Sequence, residues 1–362
     1  MTATGGQTLV DVREGHRFDV GALERYLTGR IPGFAAPLRV RQFLGGQSNP
    51  TYHLSAGGRE YVMRRKPPGP LLPSAHAVDR EYRVITALGG TDVPVPKTYL
   101  LCEDAAVVGT PFYVMDFVPG RIFADPMLPG IDADERAAIY DAMNDVMARL
   151  HRVDWKAVGL ADFGRPGNYF ARQIHRWATQ YRASETERIE SMEKLIPWLP
   201  EHIPADDETT LVHGDYRPGN LIVHPTEPRV VAVLDWELST LGHPLADLAY
   251  NCVPYHTGPG DNLGGVEGVN LRDLGIPDEE AYVAAYCRRT GRASIANWDF
   301  YVAFALFRLG AIAQGIMGRV LAGTANAPNA RQRGERARPL ADAGWSVVER
   351  VASASPSTPR AQ

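Results

Sequence analysis

The chain has 362 residues, of which 44% are hydrophobic and 22% charged, and its formal net charge is −4 at pH 7. This composition is typical of a soluble globular protein, and the length is sufficient for a two-lobed enzyme. The small negative charge gives no general attraction to nucleic acid or to anionic membranes, so any charged partner must be met by a local patch. We expect no nucleic-acid partner and no membrane span.

The three cysteines, Cys102, Cys252 and Cys287, are widely separated and match neither C-x-x-C nor a Cys/His zinc spacing. We therefore expect free thiols in a reducing compartment. The segment Met1 to Phe18 is polar and lacks the apolar core of a signal peptide. These features predict a cytoplasmic protein, and the sequence does not indicate its oligomeric state.

The first third of the chain is typical of a small antiparallel sheet with helices. Runs rich in β-formers are separated by glycine and proline, and apolar residues at helical spacing occur between some of them. The predicted elements are a helix at Asp19–Thr28, strands at Leu38–Phe43, Thr51–Ser55 and Tyr61–Arg65, a helix at Ala77–Leu88, and strands at Thr98–Glu103 and Phe112–Phe117. We expect residues 1–117 to form an N-terminal lobe.

After Pro119-Gly120 the pattern becomes helical. Asp132 is a predicted N-cap with Glu135 three residues later, and Phe170, Ile174, Trp177 and Tyr181 repeat at helical spacing. Another helix is predicted over Asp278–Arg289, with Gly291 as its C-terminal stop. The run Phe300–Met317 contains Arg308 and Gln314, which favours a buried core helix over a membrane span. We expect a helical C-terminal lobe over 118–352 and a disordered tail over 353–362.

The segment His213-Gly214-Asp215-Tyr216-Arg217-Pro218-Gly219-Asn220 precedes two short strand-like runs, Leu221–His224 and Val230–Leu234, and Asp235-Trp236-Glu237 follows the second run. A loop and a strand end thus present a carboxylate, an amide and a second carboxylate. Phosphoryl transfer from a magnesium nucleotide needs oxygen ligands for the metal and a carboxylate that accepts the proton of the attacking hydroxyl. These residue types supply both.

This pattern resembles the aminoglycoside phosphotransferase family of small-molecule kinases, with its H-G-D-x-x-x-x-N loop and later metal-binding aspartate, and its spacing also matches the protein-kinase catalytic loop. The resemblance implies an α+β, protein-kinase-like two-lobed fold that uses ATP and Mg²⁺. It implies that Asp215 is the catalytic base and that Asn220 and Asp235 are magnesium ligands. Glu237 is then an additional or water-mediated metal partner.

The alternative is an ordinary loop, which uniform residue usage would give on the order of once in several hundred such chains. The resemblance implies a structural role for His213 in supporting the loop. Gly242-His243-Pro244-Leu245-Ala246-Asp247 also looks like the family, in which this aspartate anchors the catalytic loop. Asp247 could equally be a carboxylate favoured by a helix N-terminus.

In Tyr61-Val62-Met63-Arg64-Arg65, strand alternation places Val62 and Arg64 on one face and Met63 and Arg65 on the other. In kinase-like folds such a pair contacts adenine and the phosphates, and a helix glutamate, here Glu81, orients the cation. The commoner residue at the cation position is lysine, and an arginine can still neutralise phosphate with bidentate geometry. A solvated basic strand edge is the alternative.

Two weaker features complete the nucleotide side. Gly45-Gly46-Gln47-Ser48-Asn49 resembles the family's glycine-containing hairpin, in which backbone amides and the Ser48 hydroxyl approach phosphate. A plain hairpin turn would explain that segment equally well when taken alone. Met115-Asp116-Phe117-Val118 looks like the hinge between lobes, so we expect Met115 and Phe117 to bind adenine through their backbone.

The acceptor is less well defined. The stretches 46–51, 64–67 and 213–247 look most like the branch fused elsewhere to acyl-CoA dehydrogenases, which implies a hydroxyacyl compound, free or as its CoA thioester. An aminoglycoside or another amino or sugar alcohol remains an alternative, and so does a catalytically inactive nucleotide-binding module. Several arginines near the C-terminus would suit an anionic substrate or form a solvated basic face: Arg319, Arg331, Arg333, Arg336 and Arg338. The sequence does not discriminate ATP from GTP.

Overall fold

The computed structural model describes residues 3–4, 7–44, 49–69, 77–259, 264–325 and 329–354. The chain divides into two compact units. Unit 1 comprises Met1–Ala124, Val153–Phe163 and Pro218–Ser239, and unit 2 comprises Asp125–Arg152, Gly164–Arg217 and Thr240–Gln362. The lobe boundary expected after residue 117 stays a prediction.

Unit 1 is built on a seven-stranded antiparallel sheet with the strand order β1-β2-β3-β4-β5-β7-β6. The five strands predicted from the sequence are present with small shifts at their ends, and β1 and β2 are additional. The strands are β1 (Ala3–Thr4), β2 (Gln7–Val10), β3 (Arg39–Phe43), β4 (Thr51–Ala56), β5 (Arg59–Arg65), β6 (Thr98–Cys102) and β7 (Phe112–Asp116).

The two faces of this sheet have different surroundings. One face carries the apolar core of unit 1, which includes Tyr52, Leu54, Met63 and Val114. The opposite face carries Arg64, because neighbouring residues of β5 point to opposite sides. The predicted alternation along β5 is therefore present, and Arg64 projects away from the apolar core.

Three helices and a hairpin complete unit 1. The helices are α1 (Val20–Leu27), α2 (Val78–Leu88) and α3 (Ala105–Val108). The side chain of Asp19, which was predicted as the first helical residue, accepts a hydrogen bond from the backbone N–H of Ala22 at 2.9 Å and caps α1. The hairpin pairs β9 (Leu221–Val223) with β10 (Val230–Val233), close to the predicted strand-like runs.

Unit 2 is mainly helical, with one short antiparallel pair formed by β8 (Thr210–Val212) and β11 (Thr240–Gly242). The sequence analysis did not predict these two strands. The helices are α4 (Ala133–Arg152), α5 (Tyr169–Ala183), α6 (Glu190–Glu201), α7 (Pro244–Cys252), α8 (Leu271–Leu274), α9 (Glu279–Thr290), α10 (Trp298–Leu321), α11 (Ala330–Gly334) and α12 (Ala337–Ala354).

The predicted helix signals of unit 2 act as caps. Asp132 accepts the backbone N–H of Glu135 at 2.8 Å at the start of α4. Asp278 caps α9, and Gly291 ends that helix with a φ of 75°, a left-handed conformation that favours glycine. Beyond α12, the predicted tail lies outside the described residues.

Helix α10 is the centre of unit 2. It packs against α5, α6, α7, α11 and α12. By length and composition alone it could cross a bilayer, but 78% of its apolar stretch is buried inside the protein. This burial is that of a core helix and matches the interpretation of Phe300–Met317 from its interrupted apolar run.

Candidate active site

In unit 1 a cation lies between two carboxylates. Arg64 on β5 has Nη1 2.7 Å from Oε1 of Glu81 on α2, and its Nη2 donates a hydrogen bond to Oδ1 of Asp235 at 3.1 Å. The predicted partner of Arg64 is therefore in contact with it, and the predicted metal-binding aspartate joins them. We call Arg64, Glu81 and Asp235 the cation–carboxylate cluster.

The cluster lies in a low-dielectric environment. The side chain of Glu81 is fully buried and that of Arg64 is 10% exposed, whereas that of Asp235 keeps 34% of its surface exposed. Burial raises the pKa of Glu81 to about 7, although the charge of Arg64 acts in the opposite direction. Burial disfavours the charged form of Arg64, but the nearby carboxylates of Glu81 and Asp235 hold its pKa above the ordinary value.

The β9–β10 hairpin brings two predicted metal ligands to one place. Asn220 immediately precedes β9, and its carbonyl accepts the backbone N–H of Leu234, just after β10, at 2.8 Å. Asp235 is the next residue and has a φ of 67°, a left-handed conformation that is uncommon for residues other than glycine. Strain of this kind is often retained where a side chain must point in a functional direction.

The donor set fits magnesium. Asn220, Asp235 and the half-buried Glu237 carry oxygen ligands, and Mg²⁺ usually takes only one or two protein carboxylates together with substrate phosphates and water. Within the described residues, no three or more His, Cys, Asp and Glu side chains form a preassembled metal cage. Such a cage is not expected for a magnesium ion that is shared with a nucleotide.

The residues predicted to contact the base share the sheet face of Arg64. Val62 pairs across the sheet with Met115 on β7 and with His53 on β4, and all three side chains are buried. The ring of Phe117 contacts that of His53 edge-on, with 5.1 Å between centroids. Ser48 lies outside the described residues. The nucleotide-binding roles of these residues stay predictions.

In unit 2 the loop that follows β8 is held through its backbone. Asp247 on α7 accepts the backbone N–H groups of His213 and Gly214, at 2.5 and 2.8 Å. Its carboxylate also lies 3.3 Å from Nε2 of His151, and it is almost completely buried. These contacts are those of a loop anchor, the role that the resemblance implies for Asp247.

His213 is fully buried, and its Nδ1 accepts the backbone N–H of Asp215 at 3.1 Å. Gly214 has a φ of 84°, and its carbonyl accepts a hydrogen bond from Nη2 of Arg308 at 2.7 Å. Both ends of the Gly214 residue are thus fixed, its N–H by Asp247 and its carbonyl by Arg308. The loop is held in a conformation that glycine adopts without strain.

The side chain of Asp215 is 20% exposed, and Tyr250 and Arg217 of unit 2 contact it. Tyr250 on α7 donates its hydroxyl to Oδ1 of Asp215. Arg217 has Nε 3.3 Å from Oδ1 and 3.4 Å from Oδ2. Burial raises the pKa of Tyr250, and the charge of Asp215 raises it further, so the phenol keeps the proton it donates.

Sequence reasoning missed Tyr250 and the contact made by Arg308. Tyr250 comes three residues after Asp247, so the two side chains share a face of α7, a spacing that could have drawn attention to it. Arg308 was noted only as an interruption of an apolar run. Its guanidinium carbon lies 5.6 Å from the Tyr250 ring and 5.7 Å from the Trp177 ring, which provides a buried site for the charge.

The fold and its similarity to known proteins define the class. This is a small-molecule kinase with a protein-kinase-like α+β fold that transfers phosphate to a hydroxyl acceptor. The chain belongs to the phosphotransferase enzyme family, whose model matches residues 39–301. The family expected from the 213–220 segment is confirmed.

The curated relatives identify the branch. The chain is 48% identical over 326 residues to mouse acyl-CoA dehydrogenase family member 10, covering 90% of this chain and 30% of that protein. It is 45% identical over 353 residues to chicken acyl-CoA dehydrogenase family member 11, covering 95% of this chain and 45% of that protein. The chain therefore spans less than half the length of these relatives, and the expected resemblance to the kinase-like part of such fusions is confirmed.

Among solved structures, a presumed aminoglycoside phosphotransferase from Ralstonia eutropha is 54% identical, with a TM-score of 0.85 and coverage of 92% of this chain and 99% of that one. Choline kinase from Cryptosporidium parvum has a TM-score of 0.64 at 12% identity, with coverage of 92% and 97%. The latter similarity concerns the fold alone, and it confirms the predicted kinase-like class.

Proposed function

We propose that this enzyme transfers the γ-phosphate of ATP, with Mg²⁺, to the hydroxyl of a small hydroxyacyl compound, either free or as its CoA thioester. The observation that carries the proposal is the cation–carboxylate cluster, in which Arg64 contacts both Glu81 and Asp235. A cation oriented by a helix glutamate, next to a metal-binding aspartate, is the arrangement that phosphoryl transfer from a nucleotide uses in kinases.

In this proposal each residue has one task. Arg64 binds phosphate oxygens, and Glu81 keeps the guanidinium in place. Asn220 and Asp235 would hold magnesium, with Glu237 beside them, and the ion would neutralise charge on the transferring phosphate. Asp215 accepts the proton of the attacking hydroxyl, and the contacts of His213 and Asp247 keep the loop in position.

The nucleotide assignment is supported by solved relatives of the same fold. Two variants of one aminoglycoside phosphotransferase were crystallised, one with ADP and hygromycin B and the other with AMP-PNP and hygromycin B. At 15% identity these structures support ATP as the expected nucleotide without defining the acceptor. The names of the curated relatives refer to acyl-CoA, which favours an acyl acceptor over an antibiotic.

The test is magnesium-dependent ATP consumption by the purified protein with a panel of hydroxy acids, hydroxyacyl-CoA thioesters, aminoglycosides, choline and sugars. We expect turnover with hydroxyacyl compounds and a loss of at least about 100-fold in Asp215→Ala, with nucleotide binding retained. Asp134→Ala, which removes an exposed carboxylate from α4, is the matched control and should retain full activity.

Tight nucleotide binding without turnover of any panel compound would instead favour the nucleotide-sensing alternative. Turnover that survives Asp215→Ala would refute the assigned base. Turnover of aminoglycosides in preference to hydroxyacyl compounds would refute the proposed acceptor class.

A further inference from the structure

Arg336 lies in the turn between α11 and α12 of unit 2, and one of its side-chain donors is buried without an acceptor in the described part of the chain. Its Nε is buried and has no hydrogen-bond partner among the described residues. A buried donor without an acceptor is unfavourable, and native proteins retain few of them. A bound ligand with a hydrogen-bond acceptor would satisfy this donor.

Two positively charged side chains, Arg333 and Arg217, act on Arg336. Burial lowers the pKa of Arg336, and the positive charges of Arg333 and Arg217 lower it further, while Tyr250 acts weakly in the opposite direction. Like charges gathered in a partly buried site repel one another, and a bound anion would offset that repulsion.

One of these arginines, Arg217, contacts Asp215. Arg217 lies 3.3 Å from Oδ1 of Asp215, and Tyr250 donates a hydrogen bond to the same oxygen. Both residues also act electrostatically on Arg336. Arg217 and Arg333 have other contacts as well, so Arg336 is the residue with a donor in need of an acceptor.

The backbone that carries Arg336 is held against α10. A Cβ added at Gly334 would approach the backbone of Met317 to 2.9 Å, so α11 and α10 meet at a distance that only glycine permits. On the other side of the turn, Gly310 of α10 faces the carbonyl of Ala337. Arg308, which fixes the Gly214 carbonyl, belongs to the same helix. Helix α10 therefore contacts both the turn that carries Arg336 and the loop that carries Asp215.

We propose that Arg336, together with Arg333 and Arg217, forms an anion site beside Asp215 that binds a carboxylate or phosphate group of the acceptor. This inference rests on the proposed function, because it takes Asp215 as the group that receives the acceptor proton. Planar guanidinium groups bind both anions through paired hydrogen bonds. A polycationic acceptor such as an aminoglycoside is disfavoured at the same place.

A direct binding experiment tests the site without turnover. Isothermal titration with inorganic phosphate, in the presence of saturating magnesium AMP-PNP to fill the nucleotide site, should show binding to the wild type. Arg336→Gln should weaken it roughly 10- to 100-fold, and Arg336→Lys should retain part of it. Arg331→Gln removes an exposed charge from the same short helix and is the matched control, with no change expected.

A kinetic experiment then separates the two sources of anion. A hydroxy acid is compared with its methyl ester, and a hydroxyacyl-CoA thioester is compared with the corresponding pantetheine thioester, which lacks the CoA phosphates. The member of each pair that supplies the anion should have the lower KM, and Arg336→Gln should remove that preference while the KM for ATP stays constant. The pair that shows the effect identifies the carboxylate or the phosphate.

Phosphate binding that is equal in wild type and Arg336→Gln, or no phosphate binding at all, would overturn the anion site, provided circular dichroism shows that the variant is folded. An equal preference for charged and neutral acceptors would overturn it as well. Phosphate binding that depends on Arg336 in a protein without any kinase turnover would contradict the proposed function and leave the anion site standing.

Discussion

Tyr250 of α7 donates its hydroxyl proton to Oδ1 of Asp215. The same helix also holds the backbone of the loop that follows β8 and carries Asp215. Asp247 of α7 binds the backbone of His213 and Gly214, and Asn251 of α7 donates to the carbonyl of Tyr216 at 3.2 Å. One helix therefore contacts four consecutive loop residues. The phenol holds Oδ1 and thereby restricts the rotation of the carboxylate.

Tyr250→Phe removes this hydrogen bond with little change in volume. We expect kcat to fall about 10- to 100-fold, because a hydrogen bond to a charged group contributes roughly 1.5–3 kcal/mol, while the KM for ATP stays within about twofold. Initial rates at saturating acceptor measure the effect. Tyr255→Phe is the control, since its hydroxyl bonds the carbonyl of Pro277 and not the loop. An equal loss of kcat in both variants would indicate a general packing defect.

Asp247 makes part of the stability depend on pH. Burial alone would raise its pKa, but the hydrogen bond and charge of His151, with the charge and backbone amide of His213, hold the pKa of Asp247 below its ordinary value of 3.8. The carboxylate therefore contributes stability that is fully present above about pH 4 and is lost as the pH falls through the lowered pKa.

Asp247→Asn should reduce the unfolding free energy at pH 7 by roughly 3–5 kcal/mol, because the amide cannot accept both backbone N–H groups and pair with His151. The difference from the wild type should shrink in acid. Urea unfolding between pH 3 and pH 7 measures it, with the exposed Asp134→Asn as control. A difference that is constant over this range would contradict the assignment of the pH dependence to Asp247.

Arg64 and Arg65 are adjacent on β5 and serve different faces of the sheet, which makes them a matched pair. Arg65 donates to Oγ1 of Thr110 at 2.9 Å, away from the cation–carboxylate cluster. We expect Arg64→Ala to weaken binding of magnesium AMP-PNP at least about tenfold, Arg64→Lys to weaken it less, and Arg65→Ala to leave it unchanged. Titration calorimetry measures all three. Equal affinities in Arg64→Ala and Arg65→Ala would exclude Arg64 from phosphate binding.

Asp235 should set the magnesium requirement. Asp235→Asn keeps the shape of the side chain and removes the charge, so we expect the magnesium concentration for half-maximal turnover to rise about tenfold or more. Glu227→Gln, in the exposed turn of the same hairpin, is the control. Turnover measured against magnesium concentration, with EDTA as the metal-free limit, checks the expectation. An unchanged requirement in Asp235→Asn would place the metal elsewhere.

The sequence predicted the parts of the fold whose periodicity spans several residues. Strand alternation in 61–65 placed Arg64 correctly relative to Met63, and Asp132, Asp278 and Gly291 cap helices as their types suggest. β8 and β11 were missed because each has three residues, too few for a period of two to be recognised. β1 and β2 lie in a polar segment and have only two and four residues, so they also show no recognisable alternation.

The sequence predicted those residues of the candidate site that belong to a short motif with fixed spacing. The 213–220 segment and Asp235 could be selected by their resemblance to a family, whereas Tyr250 is 35 residues from Asp215 and meets it only after the loop has folded. Likewise, the charge environment of Arg336 depends on Arg333 of α11 and on Arg217 of the loop after β8, which are 116 residues apart in sequence and meet only in the folded unit. The sequence indicated a basic segment there, but it could not separate a solvated face from a binding site.

The discontinuity of unit 1 also bears on how the protein is made. Arg64 and Asp235 are 171 residues apart, and the hairpin that carries Asp235 belongs to unit 1. At ordinary translation rates the ribosome needs roughly 10–30 s to synthesise that interval. Unit 1 is therefore completed only when this last segment has been made, well after Arg64 and Glu81. A fragment that ends near residue 124 would lack the hairpin, so separate expression of the N-terminal part should give an incomplete unit that only complementation by the remaining chain could restore.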